Sequence, residues 1–524
     1  MTEYFCSCQY SFDLDKPGNI DSHVSHSSGS ATILIGPGSK AKDAPIVKLK
    51  ESLPSPSGLP LVAPPPSATP VSPTLKIPSA AVLKVELGKY CDELEKLPYF
   101  TGVILVKQGD EVLVHRAMGE QVKEGKIDGN TRFNCASVGK MFTSLAIHQL
   151  ALESKEPNFL DRKLSSIVDR NDLNGMNFDD PDSRNPIKLT SSQIDELLSS
   201  GITINQLLTH TAGLSRKAPF SNEPLRPNSG YSYSNFGYEL LSAVIKKISG
   251  TPFADFIQEK ILGRQPESKG LFPRYEGSIA GEVTYLDEEK SHVPHNIGCG
   301  CWDISAPGLV DFVERNYKTL DEFTREALPN PNNPSASYGS GVEIIRENGL
   351  VFKGHNGNVP GGETDCYWTE NKIPPIIIVT YKGGYGVELN HNLKHILSGQ
   401  PIPSGREPGA SVALFKSISE VKLEQLDEFL KTCQPTPATM TGRFVTMIKA
   451  FIKRGELDRA TKIARITIDP LQRDQQYRTL DLIGRALMKF PDAKAVATRC
   501  FQELLNDPKA KKQEIEKFLQ ELAS

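Results

Sequence analysis

A serine and a lysine three residues apart, Ser137-Val138-Gly139-Lys140, stand at the mouth of a helix that cannot lie on a surface. Met141, Phe142, Leu145, Ala146 and Leu150 follow at helical spacing, after Thr131-Arg132-Phe133-Asn134-Cys135-Ala136, so the pattern predicts a buried helix that carries its lysine inward. A chain with such a helix has to wrap it on several sides, which calls for a large layered core. Residues i and i+3 share a helix face, so the Lys140 amine can reach the Ser137 hydroxyl without further folding. A serine hydroxyl is barely nucleophilic at neutral pH and needs a base beside it. Burial disfavours an ammonium relative to an amine, which makes the lysine a candidate base. Taken alone, four such residues are far more often a helix cap followed by a surface charge.

The surroundings extend the pattern. A helix is expected over Val82 to Leu97, followed by a hairpin of Val103 to Val106 with Val112 to His115, turned at Gly109-Asp110. Downstream come Leu207-Leu208-Thr209-His210-Thr211-Ala212-Gly213-Leu214, read as a short helix stopped by Gly213 with His210 as scaffold, then Tyr233-Ser234-Asn235, then His355-Asn356-Gly357. Order and motifs together resemble the superfamily of serine β-lactamases, penicillin-binding proteins and related esterases, in which an SxxK motif carries the nucleophile. The likeness runs over roughly residues 79–400.

The resemblance implies an α/β chain of the α+β type: an antiparallel β-lactamase/transpeptidase-like sheet flanked by helices, with a helical subdomain. It also implies acyl transfer. Ser137 would attack a carbonyl carbon while Lys140 or Tyr233, or both as a coupled pair, takes its proton. Asn235 would orient Lys140 and hydrogen-bond the substrate, and the backbone N–H groups of Ser137 and Asn358 would receive the oxyanion. Where many penicillin-binding proteins carry KTG, this chain has His355-Asn356-Gly357. Histidine is only partly charged at neutral pH, so carboxylate recognition should be weaker and small esters, amides or D-amino-acid peptides are the expected substrates. Gly357 is expected where substrate backbone must approach closely. The competing expectation, from a different class, is an inert β-lactamase-like platform whose helical tail binds protein.

With 524 residues the chain is long enough for several domains, and a net charge of −3 without a basic arm excludes a general nucleic-acid binder. No run of eighteen apolar residues occurs, so no transmembrane segment is expected. Met1 to Asp15 lacks a basic start and an apolar core, and nine cysteines are thinly spread, which together predict a cytoplasmic protein unless export is non-classical. Cys6-Ser7-Cys8, and Cys299-Gly300-Cys301 after His292 and His295, lack the CxxC spacing of a zinc knuckle, so neither metal nor cofactor is expected. Cys135 reads as a small core residue.

The domain expectations follow from composition. Residues 1–78, rich in Ser, Gly and Pro, should be a disordered tether; 79–400 the hydrolase; 401–410 a linker; and 411–524 an all-α helical-repeat-like domain. Apolar faces at Phe444, Ile448, Phe451 and Ile452, at Ala460, Ile463 and Ala464, at Leu482, Ile483, Ala486, Leu487 and Phe490, and at Cys500, Phe501, Leu504 and Leu505 mark its helices. Breaks are expected at Gly455, Pro470, Pro491 and Pro508. Such an array either binds a protein partner or only packs on the hydrolase.

Overall fold

A computed structural model describes residues 77–524 except 98–99, 120–126, 179–186, 215–224, 229, 264–271, 274–297, 301, 325–326, 332, 360–361, 371–372, 384–387, 405, 433–439, 474–476, 508–511 and 524. It also describes a short hairpin of Val24–Ser27 with Ser30–Ile33. That hairpin belongs to a separate unit, Ser7–Thr74. The rest of the expected tether, Cys6, Cys8, His292, His295, Cys301 and Pro508 lie outside the described residues.

The larger unit begins with α1 (Ala80–Glu95), capped by the Ser79 side chain, and continues through β1 (Thr101–Gln108) and β2 (Glu111–Met118), joined at Gly109-Asp110. After β3 (Arg132–Asn134) a 3-10 turn, Ala136–Gly139, feeds α2 (Lys140–Ser154). Then come α3 (Ile204–Leu208), α4 (Asn235–Ser249), β4 (Trp302–Ser305) and α5 (Ala306–Glu322). A meander follows: β5 (Leu328–Asn330), β6 (Asn333–Tyr338), β7 (Glu343–Glu347), β8 (Leu350–Val359), β9 (Gly362–Thr369) and β10 (Ile376–Gly383), closed by α6 (Leu389–Leu397).

The eight-stranded sheet has the order β5-β6-β7-β8-β9-β10-β1-β2, with antiparallel neighbours throughout. Two neighbouring strands, β1 with Val103–Val106 and β10 with Ile376–Val379, carry unbroken apolar runs because both faces are covered. Val103 and Leu105 of β1 enter the core that also holds Met141 and Phe142 of α2 and Leu309 of α5. The alternate Ile104 and Val106 enter a second core with Leu83 and Leu87 of α1 and Leu389 and Leu393 of α6. α2 is sunk between the sheet and α4, whose buried face includes Phe236, Tyr238, Leu240 and Leu241, so its all-round apolar pattern is satisfied.

The tail is a run of helices, Pro408–Glu420, Leu426–Thr432, Met440–Lys453, Leu457–Arg473, Tyr477–Leu487, Lys494–Leu504 and Lys512–Ala523, with a core of its own built on Phe451, Ile463, Ile483 and Phe501. Its first helix starts at Pro408, inside the stretch expected to be linker. Gly455 is left-handed just past a helix end, as a C-terminal cap requires. Pro470 does not break its helix, which runs to Arg473: so near the end, a missing N–H costs one backbone bond instead of severing the ladder. Among the described residues no helix is long and apolar enough to cross a membrane.

Candidate active site

Ser137 is presented by a turn that the surrounding sheets hold in place. The Cys135 N–H donates to the Trp302 carbonyl at 2.7 Å. The Asn134 side-chain oxygen accepts from the Ala136 N–H at 2.8 Å, and the Thr364 hydroxyl of β9 donates to the Asn134 carbonyl at 3.0 Å. Within these ties Ala136 adopts φ +46°, and the chain climbs through the 3-10 turn that leaves Ser137 half-buried.

Lys140, fully buried, opens α2. Its Nζ donates to Ser137 Oγ at 3.1 Å, to Asn235 Oδ1 at 2.8 Å and to the Cys299 carbonyl at 2.8 Å, which uses all three ammonium protons. It also lies 4.8 Å from the centroid of the Tyr233 ring. The Tyr233 hydroxyl is 2.9 Å from the same Ser137 oxygen. Tyr233 and Asn235 flank the N-cap of α4: the Ser234 side chain accepts from Gly237 N–H at 3.2 Å, while Ser234 N–H donates to His210 Nδ1 at 3.1 Å. Four residues expected to act together are therefore joined in one chain of hydrogen bonds, Tyr233 to Ser137 to Lys140 to Asn235.

His210 is placed differently from expectation. α3 ends at Leu208, not at Gly213, and His210 itself is left-handed at φ +58°. That turn sets its ring against Tyr233 (4.4 Å), Tyr338 (4.7 Å) and Tyr238 (5.2 Å), so it is the hub of an aromatic floor. Gly213 instead takes φ +76° where a side chain would meet the Arg226 carbonyl at 2.6 Å.

His355 lies on β8, 1% exposed, behind the tyrosines. Its Nδ1 faces the Asn356 carbonyl at 2.5 Å, an acceptor only, which puts the proton on Nδ1 and leaves Nε2 to accept from the Tyr338 hydroxyl at 3.2 Å. Burial, reinforced by the Lys140 charge, pushes its pKa down to about 3. The expected partial charge is thus corrected to none at neutral pH. Gly357 is pressed against the turn that carries Ser137: a Cβ there would sit 2.3 Å from the Cys135 carbonyl and 3.1 Å from Ser137 N. Asn358, the next residue, is half-buried and pairs with Glu363 of β9.

Two participants escaped the sequence reading. The Cys299 carbonyl accepts from Lys140, and its own N–H donates to Glu239 Oε1 at 3.0 Å. Glu239 is 3% exposed on α4, one turn beyond Asn235. A carboxylate between Tyr238 and Leu240 on an apolar helix was the available signal.

A family model described as Beta-lactamase matches residues 95–290. A penicillin-binding protein of Bacillus subtilis (strain 168) is 31% identical over 366 residues, spanning 59% of this chain and 75% of that one. The chain belongs to the beta-lactamase family. Solved structures with similarity to this family member include the D-amino acid amidase from Ochrobactrum anthropi SV3, at 16% identity and TM-score 0.43, covering 65% of this chain and 99% of that one. The penicillin-binding protein from Bacillus halodurans follows at 18% identity and TM-score 0.42, covering 57% and 95%. Beta-lactamase-fold proteins of this kind are serine hydrolases that share the antiparallel sheet flanked by helices seen here.

Proposed function

We propose that this family member is an active serine hydrolase that works through an acyl-enzyme on small esters, amides or D-amino-acid peptides. The observation that carries the reading is the convergence of Lys140 Nζ, at 3.1 Å, and Tyr233 OH, at 2.9 Å, on the single oxygen of Ser137. With both partners donating, Ser137 Oγ has no base. Attack therefore needs one proton fewer on the pair, which Lys140 and Tyr233 share.

In the first step the Ser137 O–H proton passes to the pair as Oγ bonds to the acyl carbon. The leaving oxygen or nitrogen departs with that proton. Water then adds to the acyl carbon, giving a proton to the same pair, and Ser137 recovers it as the acid is released. Ser137 N–H and Asn358 N–H are assigned to the oxyanion; a single such donor contributes about 3 to 4 kcal/mol in other hydrolases. Asn235 holds Lys140 and offers its amide to the substrate. Gly357 lets β8 lie against the nucleophile turn, and neutral His355 orders the Tyr338 hydroxyl without providing a cation for a substrate carboxylate.

The name of the Bacillus relative includes penicillin binding, so the choice between a β-lactam and a simple ester is a direct test. Purified full chain is labelled with a fluorophosphonate and with fluorescent penicillin beside Ser137→Ala, and turnover of a short acyl p-nitrophenyl ester is compared with that of a chromogenic cephalosporin. Labelling that disappears in Ser137→Ala, with the ester turned over faster, is expected. Equal labelling of the variant, or no labelling of either protein, would leave the helical tail on an inert platform as the better account.

A further inference from the structure

On the face of the sheet opposite the nucleophile turn, α6 carries His391 and His395 four residues apart, one above the other on the helix surface. Both imidazoles face Glu347, the last residue of β7 before the left-handed Asn348-Gly349 turn into β8. Glu347 Oε1 is 2.5 Å from His391 Nδ1 and 3.9 Å from His395 Nε2, and one donor atom from each of the three residues lies within 4.8 Å of the others. Tetrahedral ligands at about 2.1 Å from a zinc ion are separated by roughly 3.4 Å, a spacing that these two distances bracket.

The surroundings set the donor atoms. His395 Nδ1 faces the Pro401 carbonyl at 2.8 Å, which places its proton there and leaves the Nε2 lone pair aimed at Glu347. Glu347 Oε2 turns the other way, 3.8 Å from Lys394 Nζ, so Oε1 is the oxygen turned to the two imidazoles. Lys394 is itself held over the Tyr367 ring at 4.6 Å, and Arg406 is paired with Glu388 at 3.1 Å, so both nearby cations already have partners. Among the described residues His391 Nε2 is buried without a hydrogen-bond partner, so none of them constrains the ring's proton on that side.

We infer that Glu347, His391 and His395 form a three-ligand site for a divalent transition metal, zinc by preference, with water as fourth ligand, that clamps α6 to the β7–β8 turn. Two imidazole nitrogens and one carboxylate oxygen are a donor set suited to zinc over calcium or magnesium, which favour all-oxygen shells. Metal entry would replace the short Glu347–His391 contact with two metal bonds, the ring proton of His391 standing on Nε2. The site is independent of the hydrolase reading, since α6 packs with α1 in the second core, whereas α2 and α4, which carry Lys140 and Asn235, pack in the first.

The test uses the full chain, stripped with chelator, equilibrated with zinc and assayed by elemental analysis. About one equivalent of zinc, a higher Tm on zinc addition that chelator reverses, and at least a tenfold loss of affinity in the His391→Gln/His395→Gln variant are expected. Cobalt(II) should give tetrahedral visible bands without thiolate charge transfer. Zinc absent from the wild type, retained in full by the double variant, or bound with a thiolate spectrum would each overturn the assignment. Should the double variant fail to fold, Glu347→Gln, which keeps shape and removes the charge, carries the same comparison.

Discussion

Replacing Gly357 with alanine tests whether contact between β8 and the nucleophile turn sets the rate. The added Cβ would lie 2.3 Å from the Cys135 carbonyl, 2.9 Å from Ala136 Cβ and 3.1 Å from Ser137 N, none of them on a side chain that can swing aside. The turn cannot retreat, because Cys135 and Ala136 are tied to Trp302 and Asn134 at 2.7 and 2.8 Å. Nor can β8 bow freely, since Gly357 is paired with Thr364 on one side. Reaching an ordinary contact of about 3.4 Å requires roughly 1 Å of separation, and a misplacement of that size costs about a hundredfold in rate, or about 3 kcal/mol of transition-state stabilisation. Overpacking should also cost about 1 to 3 kcal/mol of stability. The assay is kcat/KM on a short acyl p-nitrophenyl ester, well below the Tm of each variant. Gly383→Ala on β10 is the control: its Cβ meets nothing closer than Thr101 Cγ2 at 3.5 Å, and it should stay within about twofold of wild type. If Gly357→Ala keeps wild-type activity and Tm, or Gly383→Ala loses as much, the strand contact does not set the rate.

Tyr233→Phe removes the hydroxyl 2.9 Å from Ser137 yet keeps the ring 4.4 Å from His210, so kcat/KM should fall about 10²- to 10⁴-fold with Tm nearly unchanged; a wild-type rate would take Tyr233 out of the proton path. Glu239→Ala strands the Cys299 N–H at a cost of about 1 to 3 kcal/mol and loosens the carbonyl that holds Lys140, whereas Glu239→Gln keeps an acceptor and should restore most activity. Equal losses in kcat/KM would mean that the charge, not the positioning, matters. Stability measured by urea unfolding should decline in acid. Burial lowers His355 from 6.5 to about 3 and His148 from 6.5 to about 4, so the unfolded chain takes up these two protons first as pH falls below 6.5. Asp365, raised from 3.8 to about 6, binds its proton first in the folded chain and cancels one of them, leaving about 1 kcal/mol lost per pH unit between roughly pH 6 and 4 from these three groups. A flat profile across that interval would contradict the neutral state of buried His355 and half-buried His148.

What could be read from the sequence was local. The Gly109-Asp110 hairpin, the apolar α2, the tail's helical faces and the Ser137–Lys140 pair all depend on residues within one or two turns of each other, where periodicity carries the information. The Cys299 carbonyl, 159 residues from Lys140, left no trace because backbone oxygens have no side-chain signature. His355 was identified but its charge was not, since neutrality comes from burial behind Tyr338 and from the Lys140 field, both set by tertiary packing. The His391, His395 and Glu347 cluster went unread because it joins an i, i+4 pair on α6 to a glutamate that only the β7–β8 register supplies.

The same division of labour explains the turn that presents Ser137. A left-handed non-glycine residue costs on the order of 1 to 3 kcal/mol and persists only where its surroundings over-determine it. Nothing in Asn134-Cys135-Ala136 demands φ +46° at Ala136; three hydrogen bonds do, and two of them reach to Trp302 on β4 and Thr364 on β9. At about 1 kcal/mol each, these bonds are of the size needed to hold the strained residue. The orientation of Ser137 is therefore a property of the assembled sheets. Lys140 differs: its distance from Ser137 follows from a single helical turn, while the acceptors that fix its ammonium come from α4 and the segment before β4. Local sequence thus brings the amine to the hydroxyl, and long-range packing decides which way both of them point.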